Sequence, residues 1–133
     1  MTGMTELPVL LRSMQPELHD EEVVFCSVSG DLQDYLALTP LAMFHEREGL
    51  TLVLSKITAQ AHGLAFDGSF QQITLNVHSS LEAVGLTAAV SAALAQQGIS
   101  ANVIAAYYHD HIFVPTLRAH DALNVLKALS NAS

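Results

Sequence analysis

The stretch QITLNVHSSLEAVGLTAAVSAALAQQG at residues 72–98 decides the fold of the second half of the chain. Its first seven residues alternate apolar and polar side chains, which is the pattern of a half-buried strand. The later residues repeat apolar side chains at helical spacing and end at Gly98, which suits a left-handed C-terminal cap. The stretch therefore predicts a strand, a loop and a helix whose core-facing stripe is Ala83, Leu86, Val90, Ala93, Leu94 and Gln97.

The residues after this helix predict two more strands and a second helix. The strands are expected at residues 101–108 and 111–114, and an amphipathic helix is expected at residues 118–129. The order β-α-β-β-α is that of a split βαβ, or ferredoxin-like, layer of helices on an antiparallel sheet. Such a unit normally closes with a fourth strand, and the sequence predicts none after the second helix.

The first half of the sequence predicts a similar order with a complementary gap. We expect a helix at residues 7–14, a strand at 22–29, a loop at 30–39, a hairpin of residues 41–48 and 50–56, and helical turns at 58–62. No strand is predicted before the first helix, so we infer that two related units share strands or complete one another. The division at Asp67-Gly68-Ser69 predicts an N-terminal unit at residues 1–66 and a C-terminal unit at residues 67–133, in an α+β, ferredoxin-like (βαββαβ) fold.

Composition and charge argue against several classes of function. The net charge is −8, and the five basic residues are too scattered to track a phosphate backbone, which argues against nucleic acid. No apolar run approaches the roughly 20 residues of a membrane span, and no secretory signal is expected at the start. The single cysteine, Cys26, is expected to be a small buried hydrophobe, and it is consistent with a cytoplasmic location.

The predicted helix after residue 80 is unusual in its lack of charge. Between Ser79 and His109 the only formally charged side chain is Glu82. A helix face in contact with solvent normally carries Lys or Glu. Because small uncharged residues also occupy the face opposite the core stripe, we expect a second subunit to cover it and the protein to be a homodimer. The residues concerned are Thr87, Ala88, Ser91, Ala92, Ala95 and Gln96.

The segment YYHDHIFVP at residues 107–115 has three open interpretations. In a split βαβ unit this hairpin lies at the same edge as the end of the first strand, so His78, His109 and His111 could converge with Asp110 and Glu82 on a divalent metal such as zinc. Alternatively, the segment is a polar hairpin in which Asp110 accepts backbone amide hydrogen bonds. In the third interpretation, a histidine or Asp110 contacts the amino group of a ligand.

Residues 82–90, EAVGLTAAV, resemble the first loop-and-helix signature of ACT domains, acidic-x-Pro-Gly-x-x-Ala-x-Val/Ile. Glu82, Gly85, Ala88 and Val90 match this signature. The longer run VGLTAAVSAALAQQGISANVIAAYYHDHIFVP at residues 84–115, and GLTLVL at residues 49–54, resemble the CASTOR-type branch of the family. That branch includes small bacterial proteins built from two tandem ACT-like units.

The sequence departs from this signature at Val84, where the family usually has proline. Proline would fix the backbone at the first helical position. Without it, Ser79 and Glu82 fit a capping box, in which a serine is followed three residues later by a glutamate. The helix is therefore expected to begin at about Ser80.

The resemblance implies a non-catalytic regulatory module that binds a small molecule, typically an amino acid, where the loop after the first strand meets a neighbouring unit. Unpaired amides at the start of the helix favour a carboxylate. Gly85 would let a ligand approach the backbone, or would allow close helix–sheet packing. No cofactor and no catalytic residue are expected. The alternative is a metal-dependent enzyme at His78, His109 and His111, and a purely structural interaction module is a third hypothesis. The implied ligand-binding residues are His78, Ser79, Ser80, Glu82, Gly85, Leu86 and Asp110.

Overall fold

A computed structural model describes residues 6–81 and 83–133 of the chain. The regular elements in chain order are α1 (Leu7–Arg12), β1 (Pro16–Val28), a 3-10 helix (Leu32–Leu38), β2 (Ala42–His45), β3 (Leu50–Ser55), α2 (Lys56–Ala61), β4 (Phe70–Leu75), α3 (Leu86–Gln96), β5 (Asn102–Ala105), β6 (Asp110–Pro115), a 3-10 turn (Thr116–Arg118) and α4 (Ala119–Asn131). No helix in the described part of the chain is both long and apolar enough to cross a membrane.

The chain forms two compact units, and strand β1 belongs to both. Unit 2 is Glu21–Phe70, and unit 1 is built from the chain before and after that segment. β1 begins in unit 1 and ends in unit 2, so the prediction that related units share strands is confirmed. The predicted boundary at residues 66 and 67 stays a prediction.

Unit 1 has the four-stranded order of a complete ferredoxin-like sheet. Its strands follow one another as the start of β1, then β4, β6 and β5. The antiparallel β5–β6 hairpin sets Asn102 opposite Phe113 and Ala105 opposite Asp110. The start of β1 thus provides the edge strand that the second half of the sequence lacks.

The core of unit 1 lies between this sheet and helices α3 and α4, which pack against each other. Helix α3 buries Leu86, Val90 and Leu94 of the predicted stripe, and α4 buries Ala122 and Leu126. Two other predicted members do not belong to this face, because Ala83 precedes the helix and Gln97, just after its last residue, is exposed. Burying one leucine side chain contributes about 1.5–3 kcal/mol. The sheet presents to this core the side chains of Ile73, Leu75, Ile112 and Val114.

Unit 2 has β3 between β2 and the end of β1. Cys26 lies opposite Leu52 in the antiparallel β1–β3 register. The cysteine is buried as predicted, and burial raises the pKa of its thiol. The hairpin predicted around Gly49 is confirmed as β2 and β3.

The loop predicted at residues 30–39 is wrong, because Leu32–Leu38 forms a 3-10 helix. A 3-10 helix has three residues per turn, so side chains three positions apart share a face. Leu32, Tyr35 and Leu38 have this spacing, and all three pack against the core of unit 2. This packing stabilises the helix, although Gly30 and Pro40 on either side are residues typical of loops.

The helix start predicted near Ser80 is also wrong. Helix α3 begins at Leu86, after Gly85, whose φ angle of +103° lies outside the helical region. The preceding described residues, 76–81 and 83–85, form the α3 entry loop, in which the Ser79 amide donates to the Val77 carbonyl and the Ala83 amide donates to the Ser80 carbonyl. The backbone at Gly85 therefore ends the loop, and the helix does not extend back to the serines.

Candidate functional site

A pocket of about 100 Å³ lies in unit 1 where the entry loop, the start of α3 and the β5–β6 hairpin meet. The entry loop ends at Gly85, whose φ angle is +103°, and helix α3 begins directly after it. On the other side of the pocket, the antiparallel β5–β6 register sets Ala105 opposite Asp110. The lining residues are Ser79, Ser80, Leu81, Ala83, Gly85, Leu86, Thr87, Ala105 and Asp110.

The start of α3 lies at this pocket. Its N-cap residue is Gly85, which has no side chain and so makes no side-chain cap hydrogen bond. Its carbonyl accepts the first hydrogen bond, 2.8 Å from the Ala89 amide nitrogen. The amides of the first turn have no partner within a helix and carry partial positive charge. Leu86 and Thr87, the first two helical residues, both line the pocket.

Gly85 also lets helix α1 approach closely. A Cβ atom built on Gly85 would lie 3.2 Å from Leu7 Cδ2 and 3.7 Å from Leu7 Cδ1. This contact supports the interpretation that glycine permits close packing. Gly85 also lines the pocket, and the interpretation that it lets a ligand approach the backbone stays a prediction.

Asp110 is the charged side chain of the described lining. It is only 9% exposed, and it makes no hydrogen bond or ion pair with any described residue. Burial raises the pKa of the Asp110 carboxyl, while the nearby charges of His111 and His109 act in the opposite direction. No fully buried side-chain oxygen or nitrogen of the described residues lacks a hydrogen-bond partner, so the Asp110 carboxylate is exposed to solvent at the pocket. A partly desolvated carboxylate favours a nearby cationic group.

The hairpin that contains Asp110 is closed by the backbone. The Ala106 amide donates to the His109 carbonyl at 3.1 Å, and Tyr107 and Tyr108 form the exposed tip. The polar-hairpin interpretation is thus correct for the fold of the segment. Its assignment of Asp110 as the acceptor of the turn amides is wrong within the described residues.

The three histidines of the metal hypothesis contact different partners. His78 lies 5.2 Å from the Tyr108 ring, centroid to centroid, and His109 Nδ1 donates to the Val77 carbonyl at 3.2 Å. The His109 and His111 ring centroids are 6.5 Å apart. Among residues 6–81 and 83–133, no three His, Cys, Asp or Glu side chains are placed to hold a metal ion.

His111 belongs to a polar network on β4 and β1. Its Nδ1 lies 2.9 Å from Gln72 Nε2 and 3.0 Å from Thr74 Oγ1, and the threonine hydroxyl lies 2.8 Å from His19 Nε2. Burial lowers the pKa of the His111 imidazole, and the charges of His109 and His19 lower it further. His111 therefore favours the neutral form, in which Nδ1 accepts from the Gln72 amide.

Five of the residues predicted for ligand binding lie around one pocket. These are Ser79, Ser80, Gly85, Leu86 and Asp110. His78 is outside the lining and contacts the tyrosines of the hairpin tip. Glu82 lies outside the described residues. The sequence interpretation did not include four further lining residues, Leu81, Ala83, Thr87 and Ala105.

Two family models match the chain in tandem. An ACT domain model matches residues 2–71, and a second ACT domain model matches residues 70–128. None of the curated proteins matches the chain. A solved structure from Vibrio cholerae, described as a protein of unknown function and possible transport protein, is 56% identical, with a TM-score of 0.86 over 92% of this chain and 94% of that one.

More distant solved structures share the fold. A protein from Agrobacterium tumefaciens is 13% identical, with a TM-score of 0.69 over 86% of this chain and 87% of its own. The ligand-free regulatory subunit of aspartate kinase from Thermus thermophilus is 9% identical, with a TM-score of 0.62 over 88% of this chain and 98% of its own. At these identities the likeness concerns the fold alone. The family models cover both halves of the sequence, and the chain therefore belongs to the ACT domain family, with two ACT domains in tandem.

Proposed function

We propose that this protein is a non-catalytic regulatory protein that binds an amino acid in the pocket of unit 1. Tandem ACT domains support a regulatory ligand-binding role. The observation that carries the amino-acid assignment is Asp110, a 9% exposed carboxylate without a described partner in a pocket that also contains an uncapped helix start.

The two polar features of the pocket have opposite charge. The α3 amides attract an anion, whereas the Asp110 carboxylate attracts a cation and repels an anion. A simple carboxylate or a simple amine would satisfy one feature and meet repulsion from the other. A zwitterion satisfies both, with its carboxylate at Leu86 and Thr87 and its ammonium at Asp110. This complementarity favours an α-amino acid over either singly charged class.

The remaining residues have supporting roles in this proposal. Ser79 offers a hydroxyl group to the ligand, Ser80 lines the pocket beside it, and Gly85 lets the ligand approach the backbone before α3. His78 lies beside the tyrosines at the hairpin tip, so its contribution would come at the rim. Glu82 stays a prediction based on the family signature.

A homodimer is the second part of the proposal. The face of α3 opposite the core is exposed in the single chain and carries no charge. Because the whole chain has a net charge of −8, two copies avoid like-charge repulsion when they meet on an uncharged surface. The exposed residues of this face are Thr87, Ala88, Ala92, Ala95 and Gln96.

The regulatory signal would pass to a separate partner protein. We place both proteins in the cytoplasm, because a buried free cysteine such as Cys26 is compatible with a reducing compartment.

Thermal denaturation with each of the twenty amino acids and with common divalent metals tests this function. An amino acid at about 100 times its Kd should stabilise the fold by about 2.7 kcal/mol. Stabilisation by a metal alone would support the metal-dependent alternative instead. No response to either class would support a structural interaction module. Sedimentation that shows a monomer at micromolar concentration would contradict the homodimer.

A further inference from the structure

We infer that three ring-bearing side chains beside the unit 1 pocket, His78, Tyr107 and Tyr108, bind the side chain of the ligand, and that the ligand is an amino acid with an aromatic side chain. These three residues are the aromatic rim. The inference rests on the proposed amino-acid function and specifies the ligand class. It follows from the position of the rings along the two walls of the pocket, from their mutual contacts and from their exposure.

Two rings of the aromatic rim come from the hairpin wall of the pocket. Ala105 and Asp110 line the pocket, and Tyr107 and Tyr108 lie in the turn between them. Tyr108 is therefore two residues from the carboxylate that binds the ligand ammonium in the proposed function. Ala105 is an exposed part of the lining, so the pocket opens to solvent beside this turn. A ligand side chain that extends through this opening reaches the tyrosines.

The third ring comes from the loop wall and contacts the other two. His78 directly precedes the lining residue Ser79. The centroid of its ring lies 5.2 Å from that of Tyr108 and 6.1 Å from that of Tyr107. These contacts join the loop wall to the hairpin wall, and the three rings form one continuous aromatic surface.

The tyrosines are exposed and are arranged to accept another ring. Tyr107 is 60% exposed and Tyr108 is 59% exposed. Their planes stand at 70° to each other, with the centroids 5.0 Å apart. An incoming ring can thus stack with an offset on one tyrosine and meet the other edge to face, which are the two arrangements that aromatic pairs prefer. Exposed apolar side chains that cluster in this way are typical of a binding surface.

An aromatic side chain gains more from this surface than an aliphatic or a cationic side chain. Aromatic pairs contribute affinity beyond the area that they bury, whereas an aliphatic side chain gains from burial alone. A cation also binds to the face of a tyrosine ring, but the His78 imidazole on the same surface repels it whenever the imidazole is protonated. The preference therefore depends on the chemistry of the rings.

Calorimetric titration of the intact protein with phenylalanine, cyclohexylalanine, lysine and alanine tests the inference. Phenylalanine and cyclohexylalanine have the same carbon skeleton, but only the phenylalanine ring is aromatic. We expect phenylalanine to bind about 2- to 10-fold more tightly than cyclohexylalanine. If cyclohexylalanine, lysine or alanine binds as tightly as phenylalanine, the inference is wrong while the amino-acid function stands. If no amino acid binds, the proposed function fails as well.

A matched pair of variants assigns the preference to the aromatic rim. The double variant Tyr107→Leu, Tyr108→Leu keeps apolar side chains in the exposed turn but removes both phenol rings. We expect it to lose most of the preference for phenylalanine over cyclohexylalanine and to bind alanine as the wild type does. Phe44→Leu removes a 70% exposed ring from strand β2 of unit 2 and should keep the full preference. A preference that persists in the double variant, with the fold intact by circular dichroism, would overturn the inference, as would its loss in Phe44→Leu.

Discussion

In both units a glycine with the same backbone conformation precedes a helix, but the hydrogen bonds made by side chains at the two helix starts differ. Gly30 in unit 2 and Gly85 in unit 1 both have φ = +103°. In unit 2 the Asp34 carboxylate accepts the Asp31 amide at 3.4 Å, and the Tyr35 hydroxyl donates to the Ser29 carbonyl at 2.6 Å. Unit 2 thus satisfies backbone groups at its helix start with its own side chains.

Unit 1 leaves the corresponding position open. The N-cap residue of helix α3, Gly85, has no side chain that could cap the helix, and the acid nearby, Asp110, comes from a different element and makes no hydrogen bond to a described residue. In unit 2 the Asp34 carboxylate belongs to the helix and accepts a backbone amide there, so no external anion is required. In unit 1 the Asp110 carboxylate lies on another element that lines the pocket, where it favours an external cation. The same glycine conformation thus precedes a helix start that side chains of its own unit satisfy in unit 2, and one that we propose binds a ligand in unit 1.

The substitution Asp110→Asn should have the largest effect on this difference. It removes the charge that attracts the ligand ammonium, and because hydrogen bonds to charged groups contribute about 1.5–3 kcal/mol, we expect amino-acid affinity to fall about 10- to 100-fold. Calorimetric titration measures this loss.

The same variant should make the ligand-free fold more stable at neutral pH. Since burial raises the pKa of Asp110 in the folded state, ionising this carboxyl at higher pH costs stability, and asparagine avoids that cost. The melting temperature of the ligand-free variant should therefore equal or exceed that of the wild type. Retained affinity together with a lower melting temperature would show that Asp110 is structural.

The glycine pair offers the next test. Gly85→Ala and Gly30→Ala both force a side chain into a left-handed backbone, which costs about 1–3 kcal/mol. The new Cβ would meet Leu7 Cδ2 at 3.2 Å in the first variant and Asp34 Oδ2 at 3.1 Å in the second. We expect similar destabilisation in denaturant melts, but loss of the ligand response only in Gly85→Ala. Equal ligand responses in the two variants would contradict the assignment of the site to unit 1.

A smaller effect is expected from Asp34→Ala in unit 2. It removes the carboxylate that accepts the Asp31 amide, and losing such a cap costs typically about 1 kcal/mol. Urea denaturation measures this cost. The amino-acid affinity should not change, because the pocket is built from other residues. A changed affinity would show that the helix start in unit 2 takes part in binding.

The smallest effect is a pH slope that originates at His111. Its folded-state pKa is lowered, so the unfolded chain binds more protons as the pH falls below the ordinary histidine value of about 6.5. The stability contribution of neutral His111 is complete above that pH and is lost below it. His111→Gln should flatten the slope of melting temperature between pH 7 and 5, with His45→Gln, an exposed histidine in unit 2, as the control. An unchanged slope would contradict the role of the network around Thr74.

The sequence predicted the elements whose signal is periodic. The stripe of Leu86, Val90 and Leu94 is buried as predicted. The alternation at residues 72–78 correctly predicted that Ile73, Leu75 and Val77 are buried, but Thr74 is buried as well and strand β4 ends at Leu75. The 3-10 helix was not predicted because the segment contains polar residues and is flanked by Gly30 and Pro40. Its signal was the repeat of Leu32, Tyr35 and Leu38 at every third position. The start of α3 was predicted too early because the Ser79 and Glu82 pair resembles a capping box. The actual start follows Gly85, whose close contact with Leu7 joins residues far apart in the sequence and so could not be predicted from local sequence.

The candidate site was predictable in its chemistry but not in its full lining. Two serines, a glycine and an aspartate at a loop and a hairpin indicated a polar rim, and these four residues, together with Leu86, line one pocket. Ala105 has no chemical signature, and it faces the pocket because the antiparallel register sets it opposite Asp110. The histidines were misleading because the partners of a side chain depend on strand faces and on the turn geometry.

Calorimetric titration of the wild-type protein with alanine, propionate and ethylamine measures whether the pocket requires both charged groups of an amino acid. Propionate lacks the ammonium and ethylamine lacks the carboxylate, while all three molecules are of similar size. If the pocket binds a zwitterion between the α3 amides and Asp110, alanine should bind at least about 10-fold more tightly than either analogue. Propionate binding as tightly as alanine would contradict the account, because the Asp110 carboxylate would then have no part in ligand recognition.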